Sequence, residues 1–472
     1  MRKLSESYSE NVEYFSSMLG VGRNFDVIRK PLYAADVNCS FFYIDGLTKD
    51  SEMQKIMQYI LSQKSLGSAE EFSLRIPYIE VSVTSDAERI CRAVLSGESA
   101  FFSESFGACA ILIDARTYPA RQTAEPDTDR VMQGAHDGFV ETLIMNCALI
   151  RRRIRDPRLT FSHFDIGGSS KTDVAVCYME GIADKREVEN ISKKLRSIRP
   201  RSLCLGFQSL SESLIRSGWF NPFPKIRSTE RPDTAAAHLL EGSVLVICDT
   251  SPQVMILPTS VFDYLQQTDD YYFPPLTGSY LRIVRTLILL LSVVATPLWY
   301  LYLEYSSVLP DALLFLVPDD PGALPIILQL FLVEVAIDGL KIASMNTPDM
   351  LSNSLSIVSA LLLGDFAVEI GWLSGDVILY MAFVAIANFA QQNNELGYAF
   401  KFMRMMILAL VYFFGVWGFV GGIILFCVFV ATNKTLSGRR YLYPLFPFNF
   451  SAMKKLLIRE RKRDFYDGEE KK

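Results

Sequence analysis

Phe402-Met-Arg-Met-Met-Ile-Leu-Ala-Leu-Val-Tyr-Phe-Phe-Gly-Val-Trp-Gly-Phe-Val-Gly-Gly-Ile-Ile-Leu-Phe-Cys-Val-Phe-Val-Ala-Thr432 runs for 31 residues with one charge, Arg404. A helix rises about 1.5 Å per residue and a bilayer core is about 30 Å thick, so a crossing takes about 20 residues. The stretch is too long for one untilted crossing. Its glycines at 415, 418, 421 and 422 permit a hairpin near Trp417–Gly422. Upstream lie four more apolar segments, Leu281–Leu303, Leu324–Ile342, Leu355–Leu373 and the short Val377–Ala390. Asp311–Val317 is too short to cross and reads as interfacial. From Leu281 to Thr432 the chain carries 16 charged residues in 152, against 83 in the other 320. The expected architecture is therefore an α/β soluble N-terminal region followed by an α-helical polytopic membrane domain, residues 276–432, with four to six spans.

Lys and Arg placement favours six spans. Arg282 and Arg285 open the first segment, and Lys341, Lys401 and Arg404 recur on the same side. The loop Glu304–Gly322 has no cation, nor has Leu373–Asp376, so both are expected outside. The tail 433–472 holds 11 Lys/Arg against 5 acids and belongs inside, which needs an even number of crossings. A last segment that tilts as one helix would give five, and a fourth segment that fails to cross would give four.

Four acids inside these segments are the candidate ion pathway. Glu334 and Asp338 are four apart, on one helix face, and Asp365 and Glu369 repeat the spacing. A charge at the bilayer centre costs about 3 kcal/mol on insertion scales, so it persists when paired or hydrated. Lys341 is spaced to offset Asp338 along the helix, while Asp365 has no near cation. Two readings stay open: a hydrated cation path, and packing between subunits.

The N-terminal region repeats itself. Phe42-Tyr-Ile-Asp-Gly-Leu47 ends an apolar run before a helical stretch, Thr48–Lys64; Cys177-Tyr-Met-Glu-Gly-Ile182 does the same before Ala183–Ile198. Ala93-Val-Leu-Ser-Gly97 precedes two short apolar strands, and so does His238-Leu-Leu-Glu-Gly242. The offsets of 135 and 145 residues imply two similar α/β lobes, 30–125 and 160–275. An N-terminal helical segment, 1–29, precedes them. Between them, 126–159 reads as a connecting helix with an Arg-rich end: Arg151, Arg152, Arg153 and Arg155 are a candidate anion or intersubunit patch, or partners for acids of the lobes.

Much chemistry is not visible. The histidines, 136, 163 and 238, are scattered, and no metal-ligand spacing, P-loop or nucleophile motif stands out. Gly167-Gly168-Ser-Ser-Lys171 precedes a strand, not a helix, and reads as a turn. No enzyme, cofactor or metal site is expected. A net charge of −5 argues against nucleic acid. The eight cysteines form no C-x-x-C pair, which suggests a reducing compartment, and the first residues lack the apolar run of a signal peptide.

Longer strings carry a resemblance. Glu141-Thr-Leu, Ala148-Leu-Ile-Arg-Arg-Arg-Ile-Arg-Asp-Pro157, Ser228-Thr-Glu-Arg-Pro-Asp233 and Leu239-Leu-Glu-Gly242 resemble the GerA family of spore germination proteins, A-subunit type. The likeness runs from about Glu10 to Tyr441-Leu-Tyr-Pro444. Lys171-Thr-Asp-Val-Ala-Val-Cys-Tyr178 and Val246-Ile-Cys-Asp-Thr-Ser-Pro252 are similar to its stage V sporulation protein AF branch. The resemblance implies a multi-pass protein of the spore inner membrane, with its N-terminal domain and tail on the core side. It also implies a homo-oligomeric, pentameric ion channel that releases ions and amplifies germination. The partners it implies are a small membrane protein and other germination receptor subunits. A non-conducting scaffold for receptors and a secondary transporter are the alternatives.

Overall fold

A computed structural model describes residues 3–117, 134–215, 220–267, 269–306, 311–346, 366–391, 393–433, 435–436 and 440–458. The chain divides into two compact units. The first holds both α/β lobes.

Each lobe is one five-stranded antiparallel sheet with helices on both faces. In the first, the order along the chain is α1 (Tyr8–Met18), β1 (Val27–Ala34), β2 (Val37–Ile44), α2 (Asp50–Leu61), α3 (Ala69–Ser73), β3 (Val81–Thr84), α4 (Ala87–Leu95), β4 (Ser99–Ser103) and β5 (Ala110–Ile113). In the second it is α5 (Leu143–Arg153), β6 (Leu159–Ile166), β7 (Thr172–Met179), α6 (Lys185–Ser197), α7 (Phe207–Leu214), β8 (Arg227–Thr229), α8 (Pro232–Leu240), β9 (Val244–Cys248) and β10 (Val254–Leu257). The sheet orders are β1-β2-β4-β5-β3 and β6-β7-β9-β10-β8, the same topology twice.

The doubled aromatic pairs explain why both faces are covered. Side chains alternate along a strand, so Phe41 and Phe42 point to opposite faces, as do Phe101 and Phe102. Phe41 stacks on Phe101, its register partner, with centroids 4.5 Å apart, over a core shared with Met53, Ile56, Ile60 and Phe72 of α2 and α3. Phe42 and Phe102 meet Phe15, Ile90 and Val94 of α1 and α4 on the other face. In the second lobe Val174 and Val176 face α6 and α7, while Ala175 and Cys177 face α5 and α8.

The repeat is thus longer than the two motif pairs that reveal it in the sequence. The connecting helix α5 holds the place in the second lobe that α1 holds in the first. Ala148 of α5 also joins the first lobe's core, while its neighbour Cys147 joins the second's. Gly46 makes room for this. It sits at φ +77°, and a Cβ there would come 2.7 Å from Ile144. The segment from Gly167 to Lys171 is the β6–β7 turn.

All eight cysteines are free. Burial holds the thiols of Cys147 and Cys177 well above their ordinary pKa, and lifts Cys91 to about 11 and Cys248 to about 12. They stay protonated and pack as small apolar groups.

The second unit is helical. It contains α9 (Asp269–Tyr272), α10 (Pro275–Glu304), α11 (Ile326–Asn346), α12 (Gly375–Phe389), α13 (Asn394–Thr432) and α14 (Phe450–Leu457). Among the described residues, α10 and α13 are long and apolar enough to cross a membrane. Trp299 of α10 stacks on Tyr380 of α12 at 4.4 Å, above a core of Leu330, Val333, Val377 and Met381.

The long helix α13 is broken. Gly415 has φ +54° and ψ −131°, outside helical space. A Cβ on Gly418 would run into the Leu410 carbonyl and one on Gly422 into Ile407, so the chain folds back on itself as a helical hairpin. The expected hairpin is present, but it turns two residues before the stretch Trp417–Gly422. The break falls on the first glycine of the set, and Gly418 and Gly422 serve as the contact surface between the arms. Phe400 and Phe426 pair across the arms at 5.7 Å. The arms, 394–414 and 416–432, are about 32 and about 26 Å long at 1.5 Å per residue.

Candidate functional site

Two acids of α11 meet two cations of the first arm of α13. Glu334 is 4% exposed, Lys401 5% and Arg404 1%. Arg404 forms an ion pair with Glu334, and its other terminal nitrogen, Nη1, donates to the Ser292 carbonyl of α10 at 3.2 Å. Lys401 Nζ lies 3.5 Å from Glu334 Oε1, donates to the Glu334 carbonyl at 3.3 Å, and forms an ion pair with Asp338. The cluster is neutral, two charges against two. Isolated, any of these groups would carry several kcal/mol of desolvation cost among apolar helices. Together they satisfy one another and fix which face of α11 meets α13.

The pairing corrects one expectation. Lys341 does not offset Asp338. It turns to the start of α13, donating to Asn394 Oδ1 at 2.9 Å and lying 4.9 Å from the Tyr398 ring. Helical spacing offered Lys341 as a partner on the same helix. The real partner, Lys401, is 63 residues further along, on a helix packed alongside. Lys401 and Arg404 are likewise not markers at a helix end; they sit seven and ten residues into α13.

The remaining candidates separate. Asp338 keeps about a third of its side chain exposed. Glu369 is exposed, at the end of the short helical turn Ala367–Glu369 and beside the exposed apolar side chains Ile370 and Trp372. Asp365 lies outside the described residues.

A second buried charge group stands at the start of α10. Asp270 of α9, with no exposed side-chain surface, accepts from Arg285 at 3.0 and 3.2 Å and from Arg282 at 3.3 Å. Arg285 also donates to the Leu265 carbonyl and to Gln267. These cations hold α9 to α10, a role that their spacing near a helix start did not reveal.

The arginine run of α5 is divided by the fold. Arg151 is fully buried and grips Asp26 through Nε at 3.0 Å and Nη2 at 2.8 Å, donates to the Leu159 carbonyl, and lies 4.9 Å from the Phe161 ring. Arg153 is paired with Asp137 at 2.5 Å. Arg152 and Arg155 are exposed. Pairing with acids of the same chain, one in the N-terminal segment and one in the connecting segment itself, accounts for two of the four.

The strings that suggested a family also meet in space. Leu143 N donates to Asp249 Oδ1 at 2.9 Å, starting α5, and Thr250 N donates to the Glu141 carbonyl at 2.7 Å. Arg231, fully buried, holds Asp233 Oδ2 at 2.8 Å and the Ala135 carbonyl at 2.7 Å. These residues lock α5 and α8 to the second sheet. One grouping has no sequence signature: His163, Asp165 and Asp173 bring three ligand-type atoms within 4.8 Å because β6 and β7 pair Asp165 with Asp173. All three are exposed, and His163 Nε2 is 2.8 Å from Asp173 Oδ1.

Two α/β lobes of one topology are followed by apolar helices that enclose ion pairs. The profile of the Bacillus/Clostridium GerA spore germination protein family matches residues 13–466, and the chain belongs to that family. It is 37% identical to the stage V sporulation protein AF of Bacillus subtilis (strain 168), across 96% of this chain and 92% of that one. It is 26% identical to spore germination protein KA of the same organism, across 97% and 85%. A crystal structure of the N-terminal domain of the A subunit of the Bacillus megaterium spore germinant receptor GerK3 is similar at TM-score 0.42 and 24% identity, covering 54% of this chain and 96% of that one. The protein therefore acts in spore germination.

Proposed function

We propose that the chain is a subunit of an oligomeric ion channel in the inner membrane of the spore, with no catalytic step of its own. Germination opens the channel, ions leave the spore core, and the response is amplified. Other germination receptor subunits and a small membrane protein are the expected partners. The observation that supports this is the split between the acids. Glu334 is neutralised inside the subunit, whereas Asp338 keeps solvent access and Glu369 is exposed on an apolar helical unit. An exposed carboxylate in a bilayer needs water or a partner. A ring of identical subunits supplies both, and repeats the carboxylate as cation channels do.

Purified protein in liposomes loaded with potassium tests this. Cation efflux is expected from the parent. Glu369→Gln and Asp365→Asn are expected to lower it severalfold or change selectivity, with the oligomer intact by size. Glu334→Gln is expected to damage folding instead, because it leaves Arg404 buried without its charge partner. A second reading, a non-conducting scaffold, is favoured by the neutrality of the Glu334–Asp338–Lys401–Arg404 cluster. It predicts no flux from a well-assembled parent.

A further inference from the structure

The segment Leu445-Phe-Pro-Phe-Asn-Phe450 turns its side chains outward. All six residues are exposed and all but Asn449 are apolar; Phe448 is 66% and Phe450 71% exposed. Phe450, Met453 and Leu456, three residues apart, carry the apolar side on along α14. The display is held in place by the fold. Tyr441 is fully buried, and its carbonyl accepts from Val261 N at 3.0 Å. Leu445 N and Phe446 N both donate to the Leu442 carbonyl, at 2.7 and 3.1 Å, and Asn449 N donates to the Pro444 carbonyl at 3.0 Å. At the far end Arg282 Nη1 donates to the Leu456 carbonyl at 3.3 Å, which ties α14 to the first turns of α10. The apolar surface comes with cations. Arg440 lies over the Phe446 ring at 4.3 Å, Lys454 is exposed, and from Lys454 to Arg463 the sequence has six Lys/Arg against one acid, Glu460. This local excess arises in a chain whose total is −5. Rigid, exposed aromatic side chains beside a basic run, at the cation-bearing start of a helix long and apolar enough to cross a bilayer, match the headgroup layer in both polarity and charge.

We propose that residues 440–463 dock on the surface of an anionic phospholipid bilayer. Leu445, Phe446, Phe448 and Phe450 enter the layer between headgroups and acyl chains, and the basic run that starts at Lys454 meets the headgroup phosphates. Because the segment is tied to α10, it fixes that helix at the headgroup level and makes its seating depend on the charge of the lipid. The proposal rests on the membrane-crossing reading of α10 and α13 and is independent of whether the protein conducts ions.

The full chain in lipid nanodiscs tests it by tryptophan quenching, with phosphatidylcholine alone or mixed with phosphatidylglycerol, the acyl chains brominated near the headgroup. Phe448→Trp puts a reporter in the segment. The parent's own tryptophans, exposed Trp417 of α13 among them, give the baseline and report insertion. The emission added at position 448 is expected to be quenched about threefold more with phosphatidylglycerol than without it. K454Q/K455Q/R459Q/R461Q, added to Phe448→Trp, is expected to abolish that difference and leave the baseline as in the parent. F446S/F450S is expected to weaken quenching at position 448 in both lipids. The proposal fails if position 448 is not quenched in phosphatidylglycerol bilayers, or if the charge variant is quenched as before. It fails also if Phe448→Cys cross-links copies into dimers that the parent does not form, since the segment is then a contact between copies. A quenched baseline with no quenching at position 448 sinks the proposal alone; an unquenched baseline sinks the membrane-crossing reading and the proposal with it.

Discussion

Arg151 and Asp26 are the pair on which the junction of the lobes rests, since both are buried and each is the other's charge partner. Removing one charge of a buried pair typically costs about 3–5 kcal/mol, because the survivor is left uncompensated. Arg151→Met is expected to lower stability by about that much in denaturant titrations. Asp26→Leu added to it should recover part of the loss, as both charges are then gone. His238 makes a second prediction. Burial, with Arg227 Nη1 3.2 Å from its Nε2, pushes its pKa down to about 3. In the unfolded chain it titrates near 6.5. Between those values the unfolded state binds a proton that the folded state does not, so stability falls as pH drops from about 6.5 toward about 3, by about 1.4 kcal/mol per pH unit. Above about 6.5 the group contributes no slope. His238→Gln is expected to remove that part of the acid sensitivity, measured as the difference between parent and variant unfolding midpoints across this range.

The hairpin in α13 is testable as an element. In one straight helix Ile407 and Gly422 would be about 22 Å apart. In the folded arms a Cβ on Gly422 would stand 3.0 Å from the Ile407 side chain. Ile407→Cys with Gly422→Cys is expected to cross-link readily within one chain under mild oxidation, and a straight helix would leave both thiols free. Gly418→Leu is expected to abolish the link, because no side chain fits against the Leu410 carbonyl. The glycines made the hairpin legible in the sequence. Their number hid the position of the turn, since a break and a close helix contact both call for glycine. Strands β2 and β7 were legible because each ends in an acid-glycine pair before a helix. Strands β1 and β8 were not, since Val27–Ala34 carries Arg, Lys and Pro, and Arg227–Thr229 is three residues long. At the ion-pair cluster the acids were legible as isolated charges in apolar runs. Their partners were not, because spacing along one helix says nothing about which helix lies beside it.

At the scale of the whole molecule, one plan used twice gives two sheets, and among the described residues four open edges: β1, β3, β6 and β8. An unpaired edge is a template on which another strand can grow. Here each is blunted in its own way. β1 carries Arg29, Lys30 and Pro31, and proline has no N–H to donate. β3 and β8 are four and three residues long. β6 exposes His163 and Asp165, and its Phe161 N–H is already taken by Asn24 at 3.0 Å. Replacing Lys30 and Pro31 by Thr and Val is expected to raise thioflavin-positive aggregation on heating while the parent stays clear. Growth by strand addition, the route that turns a folded sheet into a fibril, is thus obstructed on every side. Copies of this chain crowded together have to recognise one another through helix faces and side chains, where fit can be selective, and not through backbone, which accepts any strand.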